Sequence, residues 1–136
     1  MSIVYLTRKE KFSASHRLHS DKLSDEENLR LFGKCNNKNG HGHNYCLEVT
    51  IRSELDSNGL TMNLGELKRT IKDCVVVLFD HKNLNLDVKV FKHLNPTAEN
   101  IAIISWKLLS AKLPKGLLFE VKIHETEKNV ATYRGE

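Results

Sequence analysis

The sequence predicts an α+β fold in which a four-stranded antiparallel sheet is covered on one face by two helices. Segments that alternate apolar and polar residues occur as a pair near each end of the chain, which is typical of antiparallel strands. Segments with helical periodicity lie between the two pairs, and this order is typical of α+β proteins. The length of 136 residues matches one ordinary domain. We therefore expect residues 1–136 to form a single domain.

The first two predicted strands place three histidines on one apolar face. The first strand covers residues 9–18, in which Phe12, Ala14 and His16 alternate with polar residues. The second begins at His41 and carries His43 on the same face, because side chains two residues apart in a strand point the same way. A turn at residues 56–59 then leads into a short returning strand at residues 60–62.

The predicted helices have recognisable ends. A short surface helix lies between the first two strands, with Ser24 and Glu27 as a capping box and Gly33 at its end. The two helices that cover the sheet begin near Asn63 and Thr97, whose side chains are suited to N-cap positions. A polar loop separates these two helices.

The last predicted strand pair contains an apolar row that ends in a carboxylate. Phe119, Val121, Ile123 and Glu125 share one face, and a final strand follows at residues 130–133. A half-buried carboxylate costs free energy unless it has a partner, so Glu125 is a candidate for binding a ligand. The alternative is that the strand ends at Ile123 and Glu125 is solvated.

Composition and charge argue against several classes of protein. The chain has a net charge of +4 and a pI near 9.0, but its basic residues are scattered, which disfavours nucleic-acid binding and suits a small anionic substrate. No apolar run approaches the roughly 20 residues that cross a bilayer. Three cysteines without an export signal lead us to expect reduced thiols in a cytoplasmic protein.

The three histidines that share a face can bind zinc. His16, His41 and His43 offer three neutral nitrogen ligands and leave a fourth position open, as a catalytic zinc ion requires. Cys35 precedes His41 in a loop rich in asparagine and allows two interpretations. It is either a fourth ligand that closes a structural site or a free thiol that acts as a nucleophile or base.

Asp80 and His81 form a second candidate group in the polar loop. An imidazolium near a thiol favours the thiolate, and a carboxylate orients the imidazole. The alternative is a solvated loop at the end of a helix, where a cationic His81 interacts favourably with the helix dipole.

Several motifs together resemble the 6-pyruvoyltetrahydropterin synthase family. They follow the order found in that family and cover nearly the whole chain: FSASHRL at 12–18, FGKCNN at 32–37, HGHNY at 41–45, LFDHKNL at 78–84, and Glu125-Thr126. The resemblance implies a tunnelling fold (T-fold), in which the sheets of three subunits join into a β-barrel and two trimers stack as a homohexamer.

The resemblance also implies the reaction and the roles of the residues. It implies a zinc-dependent lyase of tetrahydrobiopterin biosynthesis that converts 7,8-dihydroneopterin triphosphate to 6-pyruvoyl-5,6,7,8-tetrahydropterin and triphosphate. Zinc would be held by the three histidines, and the catalytic residues would be Cys35 as general base, Asp80 and His81 of a neighbouring subunit as its relay, and Glu125 as the anchor of the pterin ring. Two further residues would lie near the pterin pocket: Thr97 and Glu99.

The chain departs from the family pattern at three positions and leaves one contact open. Lys38 stands where proline is common, Asn85 where aspartate often occurs, and Ala98 where a second threonine often occurs. Charge and proximity to the motifs make four residues candidates for binding the triphosphate: Arg17, Lys34, Lys38 and Lys82.

Two rival functions remain open from the sequence. The nearest is 6-carboxytetrahydropterin synthase of queuosine synthesis, whose cysteine typically lies closer to the HGH motif than Cys35 does here. The other is a non-catalytic, zinc-stabilised binding module in which Cys35 is the fourth metal ligand.

Overall fold

The computed structural model describes residues 2–136, so Met1 of the predicted single domain lies outside the described residues. Within this range the strands are β1 (Ile3–His16), β2 (His41–Glu54), β3 (Lys82–Asn83), β4 (Leu118–His124) and β5 (Val130–Tyr133). The helices are α1 (Asp25–Phe32), α2 (Leu64–Ile71), α3 (Val77–Phe79), α4 (Leu84–Asp87) and α5 (Ala98–Ser110). A π-helical segment (Lys72–Val76) joins α2 to α3, and 3₁₀ turns occur at Gly33–Asn36 and Lys89–Lys92.

The strands form one sheet in the order β3-β1-β2-β4-β5. β1 and β2 pair antiparallel over 14 residues, from Ile3 opposite Glu54 to His16 opposite His41. β4 pairs antiparallel with β2, and β5 with β4. The predicted α+β class and its four antiparallel strands are confirmed.

The sheet has one strand more than predicted. β3 pairs in parallel with Ala14 and Ser15 of β1, so the sheet is mixed at this edge. Two residues are too few to show an alternating pattern, and the pairing joins segments that are far apart in sequence. The four predicted strands are therefore present, and the prediction missed the short edge strand β3.

Two predicted strand boundaries were also wrong. β1 begins at Ile3 rather than at residue 9, because its pairing with β2 extends to Ile3 opposite Glu54. Ile3, Val4 and Tyr5 are consecutive apolar residues that are all exposed, so no alternation marks the start of the strand. Residues 60–62 do not form a strand. Instead, Asp56 Oδ1 accepts hydrogen bonds from the backbone N–H groups of Asn58 and Leu60, which closes this segment into a turn.

The helices pack on the sheet face that carries the histidines, and the core lies between them. Phe12 of β1 stacks on Tyr45 of β2 with ring centroids 4.9 Å apart, and it contacts Phe79 of α3 at 5.7 Å. The same core contains residues from both predicted covering helices and from the central strands: Leu47, Val49, Leu67, Ile71, Val75, Ile101, Val121 and Ile123. The prediction of two helices on one face is confirmed, with α2, the π-helical segment and α3 together forming one of them.

The predicted helix caps are confirmed. Ser24 Oγ accepts a hydrogen bond from the Glu27 N–H, and Glu27 accepts one from the Ser24 N–H, so the capping box of α1 is complete. Asn63 and Thr97 accept hydrogen bonds from the first turns of α2 and α5. None of the helices within residues 2–136 is long and apolar enough to cross a bilayer.

Gly40 brings the start of β2 against the end of β1. Its φ of 80° lies in the left-handed region that favours glycine, and a Cβ at this position would lie 2.9 Å from the carbonyl oxygen of His16. Gly59 has a similar φ of 82°, but a Cβ there would have no atom within 4 Å. A comparison of alanine substitutions at the two glycines therefore distinguishes the cost of the left-handed conformation from the cost of the contact with His16.

We expect Gly40→Ala to lower the free energy of unfolding by more than Gly59→Ala does. The left-handed conformation by itself costs an alanine about 1–2 kcal/mol, and both variants share this cost. Only Gly40→Ala must also displace the backbone of His16. Urea denaturation followed by circular dichroism measures both losses, and equal losses would show that the contact with His16 is unimportant.

Candidate active site

Three histidine side chains converge where β1 ends and β2 begins. His16 is the last residue of β1 and lies opposite His41, the first residue of β2, while His43 lies two residues further along the same face. One ring nitrogen from each histidine lies within 4.8 Å of the others. We call these residues the histidine ring. The register of one strand pair is sufficient to assemble it, as the sequence predicted.

The nitrogen atoms of the histidine ring fit a metal ion. The Nε2 atoms of His16 and His41 are 3.2 Å apart, and two nitrogens bound to one tetrahedral zinc at about 2.0–2.1 Å lie roughly 3.3 Å apart. His43 Nε2 is buried and has no hydrogen-bond partner among residues 2–136. Buried polar atoms are normally satisfied, so this unpartnered nitrogen points to a bound cation. The histidine ring can therefore hold a metal ion.

The backbone carbonyl of Pro96 orients His16. The Nδ1–H of His16 donates to this carbonyl at 2.6 Å, because a carbonyl can only accept, and the tautomer leaves Nε2 unprotonated and directed at the ring. Pro96 directly precedes the N-cap of α5, so helix packing and ligand orientation are linked. Sequence reasoning missed this contact because it uses a backbone atom and joins residues 80 positions apart.

Burial favours the neutral form of two members of the histidine ring, His16 and His41. Burial, with a smaller effect of the neighbouring His41 and His43, lowers the pKa of His16 to about 4. Burial and the adjacent His43 also lower the pKa of His41. An imidazole must be unprotonated to bind a metal, so the apolar surroundings prepare these side chains as ligands at neutral pH.

Glu125 lies beside the histidine ring. Its side chain is only 18% exposed, and Oε2 is 3.8 Å from His16 Nε2. Because burial holds His16 neutral, this approach is a polar contact rather than an ion pair. The backbone N–H of Glu125 donates to the Asn129 carbonyl at 3.1 Å, so the chain remains ordered past the end of β4. The structure thus places a carboxylate with free acceptor capacity next to the three histidines that can hold a metal ion.

Cys35 lies in a 3₁₀ turn that is attached to the residues following His16. The Leu18 N–H donates to the Cys35 carbonyl at 2.9 Å, and the Asn36 side chain donates to the Leu18 carbonyl at 2.8 Å. The thiol is half-buried and forms no disulfide. Burial, together with the nearby Glu125 and Cys35, raises the pKa of Tyr45, so these groups surround the same phenol. Among the described residues, the metal-binding group consists of the three histidines without Cys35.

Asp80 and His81 form a hydrogen-bonded pair at the outer edge of β1, away from Cys35. Asp80 Oδ2 is 2.9 Å from His81 Nδ1, and Asp80 Oδ1 accepts the Ser13 N–H at 2.9 Å. These contacts, the Ser13 N–H first, lower the pKa of Asp80. The His81 side chain is 84% exposed and its φ is 62°, a conformation held by the hydrogen bond from its N–H to the Ser13 carbonyl. The pair therefore faces outward, and within residues 2–136 no hydrogen bond joins it to Cys35.

Thr97 and Glu99 lie at the start of α5. The Thr97 side chain is occupied as the N-cap, where it accepts the Asn100 N–H at 3.1 Å. Glu99 is exposed in the first turn of the helix, and Ala98 is nearly buried beneath it. Both residues are close in sequence to Pro96, but the contact of Thr97 and Glu99 with a substrate stays a prediction.

Comparison with known proteins gives a consistent family assignment. The family model described as 6-pyruvoyl tetrahydropterin synthase matches residues 5–136. The 6-pyruvoyl tetrahydrobiopterin synthase of Homo sapiens is 50% identical over 132 residues, which are 96% of this chain and 91% of that protein. The 6-pyruvoyl tetrahydrobiopterin synthase of Dictyostelium discoideum is 52% identical over 134 residues, 98% of this chain and 97% of that protein.

A solved structure agrees with the sequence comparisons. The structure of Caenorhabditis elegans 6-pyruvoyl tetrahydropterin synthase has a TM-score of 0.95 at 46% identity, covering 100% of this chain and 98% of that chain. This likeness confirms the predicted tunnelling fold of the subunit. The chain belongs to the 6-pyruvoyl tetrahydropterin synthase family.

Proposed function

We propose that this chain is a zinc-dependent lyase that converts 7,8-dihydroneopterin triphosphate to 6-pyruvoyl-5,6,7,8-tetrahydropterin with release of triphosphate, in tetrahydrobiopterin biosynthesis. The observation that carries the proposal is the histidine ring, with the unpartnered buried Nε2 of His43, beside the half-buried Glu125. The relatives named 6-pyruvoyl tetrahydrobiopterin synthase support the choice of reaction.

His16, His41 and His43 would hold Zn²⁺ and leave a fourth position open. Zinc supplies a Lewis acid that polarises the side-chain oxygens of the substrate and acidifies the adjacent carbon-bound protons. The three ligands come from two paired strands and one is fixed by Pro96, so the protein presents a rigid set of donors. Imidazole nitrogens are suitable ligands for zinc, and the relatives of the family support this choice among the metals that bind imidazole.

Cys35 would remove a proton from the substrate side chain. The turn that carries it is tied to Leu18, two residues past His16, so the thiol belongs to the same end of the sheet as the ring. Glu125 would accept hydrogen bonds from the amino-pyrimidinone edge of the pterin and so orient the pterin. The redox change is internal to the substrate, because the pterin is reduced at the expense of its own side chain.

Asp80 and His81 would act from a neighbouring subunit. Their exposure at the β1 edge leaves them free to approach the Cys35 of another chain, and the backbone of Ser13 holds the carboxylate in place. We propose a homohexamer built as a dimer of trimers, with Thr97 and Glu99 near the shared pterin pocket. Three free cysteines are compatible with a reducing compartment, and we propose the cytoplasm.

We expect His41→Ala and His43→Ala to lose bound zinc. Removal of one of three ligands should weaken zinc affinity on the order of 100-fold or more. Metal content after dialysis, measured by atomic emission, should be about one zinc per chain in the unchanged protein. The matched control is His93→Ala, an exposed histidine outside the ring, which should keep its zinc. Equal zinc content in all four proteins would contradict the proposed site.

We expect Cys35→Ala to keep its zinc and its stability but to lose turnover by roughly 10²- to 10⁴-fold, the usual contribution of a general base. Cys46→Ala, a half-buried thiol in β2, is the matched control and should stay active. Zinc content, thermal unfolding and activity are measured on both variants. Loss of zinc from Cys35→Ala would instead support the binding module in which Cys35 is a fourth ligand.

The product distinguishes this proposal from its nearest rival. With 7,8-dihydroneopterin triphosphate as substrate, liquid chromatography with mass spectrometry should detect 6-pyruvoyl-tetrahydropterin and inorganic triphosphate. Formation of 6-carboxytetrahydropterin and acetaldehyde would instead identify a 6-carboxytetrahydropterin synthase. Protein stripped of zinc is the control and should form neither product.

A further inference from the structure

A basic cleft adjoins the histidine ring. Its volume is about 730 Å³, and four formally cationic side chains line it: Arg17, Lys22, Lys38 and Lys92. Asp21 is the one carboxylate in its lining, and that side chain is fully exposed beside His19. Within residues 2–136, none of the four cations forms a salt bridge. We call this feature the cationic cleft.

The lining of the cationic cleft is adjacent in sequence to the candidate active site at three points. Arg17 follows His16, Gly40 precedes His41, and Asn95 precedes the Pro96 whose carbonyl orients His16. Consecutive Cα atoms are about 3.8 Å apart, so at these points the backbone of the cleft lies one residue from the histidines or their support. The cleft therefore lies at the same end of β1 and β2 as the histidine ring, although the three histidines are not part of its lining.

We propose that the cationic cleft binds the triphosphate group of the substrate. This inference rests on the proposed function, in which the triphosphate is attached to the last carbon of the short side chain whose oxygens face the metal site. A triphosphate ester carries about four negative charges near neutral pH. Four unpaired cations beside the ring match that charge.

Hydrogen bonds fix the position of Arg17 before an anion binds. Its Nε–H donates to the Asn36 carbonyl at 2.9 Å, which leaves both Nη groups without a protein acceptor. Asn85 fixes the backbone of Arg17 from both sides, accepting its N–H at 2.7 Å and donating to its carbonyl at 2.9 Å. A side chain that is already positioned loses less conformational entropy on binding.

The Asn85 contact also accounts for one departure from the family pattern. An aspartate at this position has no donor for the Arg17 carbonyl and would add a negative charge to the lining of the cleft. Asn85 is therefore a positioning residue for Arg17 in this chain.

The lining of the cationic cleft includes some of the basic residues that the sequence analysis named as candidates for binding the triphosphate. Arg17 and Lys38 line it, and Lys22 and Lys92 are additions that only the fold reveals. Lys34 is exposed outside it. Lys82 instead lines a smaller cleft of about 330 Å³ beside His81, where it is the one lysine or arginine. Charge therefore favours the larger cleft as the triphosphate site.

The test compares Lys38→Gln/Lys92→Gln with the matched control Lys115→Gln, in zinc-loaded protein. All three lysines are exposed, so the fold should tolerate the changes, and Lys115 lies outside the cleft. Titration calorimetry at low ionic strength with inorganic triphosphate should give a Kd on the order of 10- to 100-fold higher for the double variant than for the control. Chelation of zinc by triphosphate affects both proteins equally, so their difference reports the cleft.

Steady-state kinetics with 7,8-dihydroneopterin triphosphate supply the second measurement. KM should rise in the double variant with kcat unchanged, because the two lysines would bind the triphosphate equally well in the ground state and in the transition state. Unchanged Kd and KM in an active double variant would overturn the cleft and leave the reaction intact. Triphosphate binding that weakens in the double variant, without turnover by the unchanged protein, would support the cleft and refute the proposed reaction.

Discussion

The antiparallel register of β1 against β2 is the constraint on which the rest of the site depends. It places His16 opposite His41 and Ala14 opposite His43, so that three imidazoles from two strands share one face. A shift of one residue would turn the histidines of one strand to the other face of the sheet. The register is strongly specified because the same face continues into the buried residues of the core, and a shift of one residue would expose those of one strand. The register that buries the core residues is thus the same register that brings the three histidines together.

The core also determines the chemical state of the histidine ring. Apolar packing beneath it keeps His16 neutral, and the Pro96 carbonyl beside it holds His16 in one tautomer. Among residues 2–136, the buried Nε2 of His43 has no hydrogen-bond partner, a cost that a bound cation would remove. Metal binding and folding of this end of the sheet should therefore stabilise each other.

The polar groups around the ring are divided between two directions. Glu125 and the Cys35 turn lie at the ring, and the cationic cleft continues from it through Arg17 and Gly40. Asp80 and His81 instead lie just before β3, on the side of β1 away from β2, and His81 faces outward. Within one chain the three histidines, a carboxylate and a thiol therefore lie at one end of the sheet, and the Asp80–His81 pair lies apart from them. The shared active site that we propose would bring such a pair from a second subunit.

The sequence alone determined the features that depend on local periodicity. Alternation placed His16, His41 and His43 on one face, and capping patterns located the starts of α1, α2 and α5, because both are set by neighbours a few residues apart. It could not show β3, the exposed first residues of β1, or that the turn at Asp56 is not followed by a strand. These arise from long-range pairing, from exposure and from a side chain that accepts hydrogen bonds from backbone N–H groups two and four residues further on.

Only the tertiary structure decided which polar groups meet. The Pro96 carbonyl reaches His16 across 80 positions, and Asn85 holds Arg17 across 68. It also showed that Asp80 and His81 are exposed away from Cys35, and that Lys22 and Lys92 share a cleft with Arg17 and Lys38. Such contacts leave no periodic signal, because each depends on how separate loops are brought together by packing on the sheet.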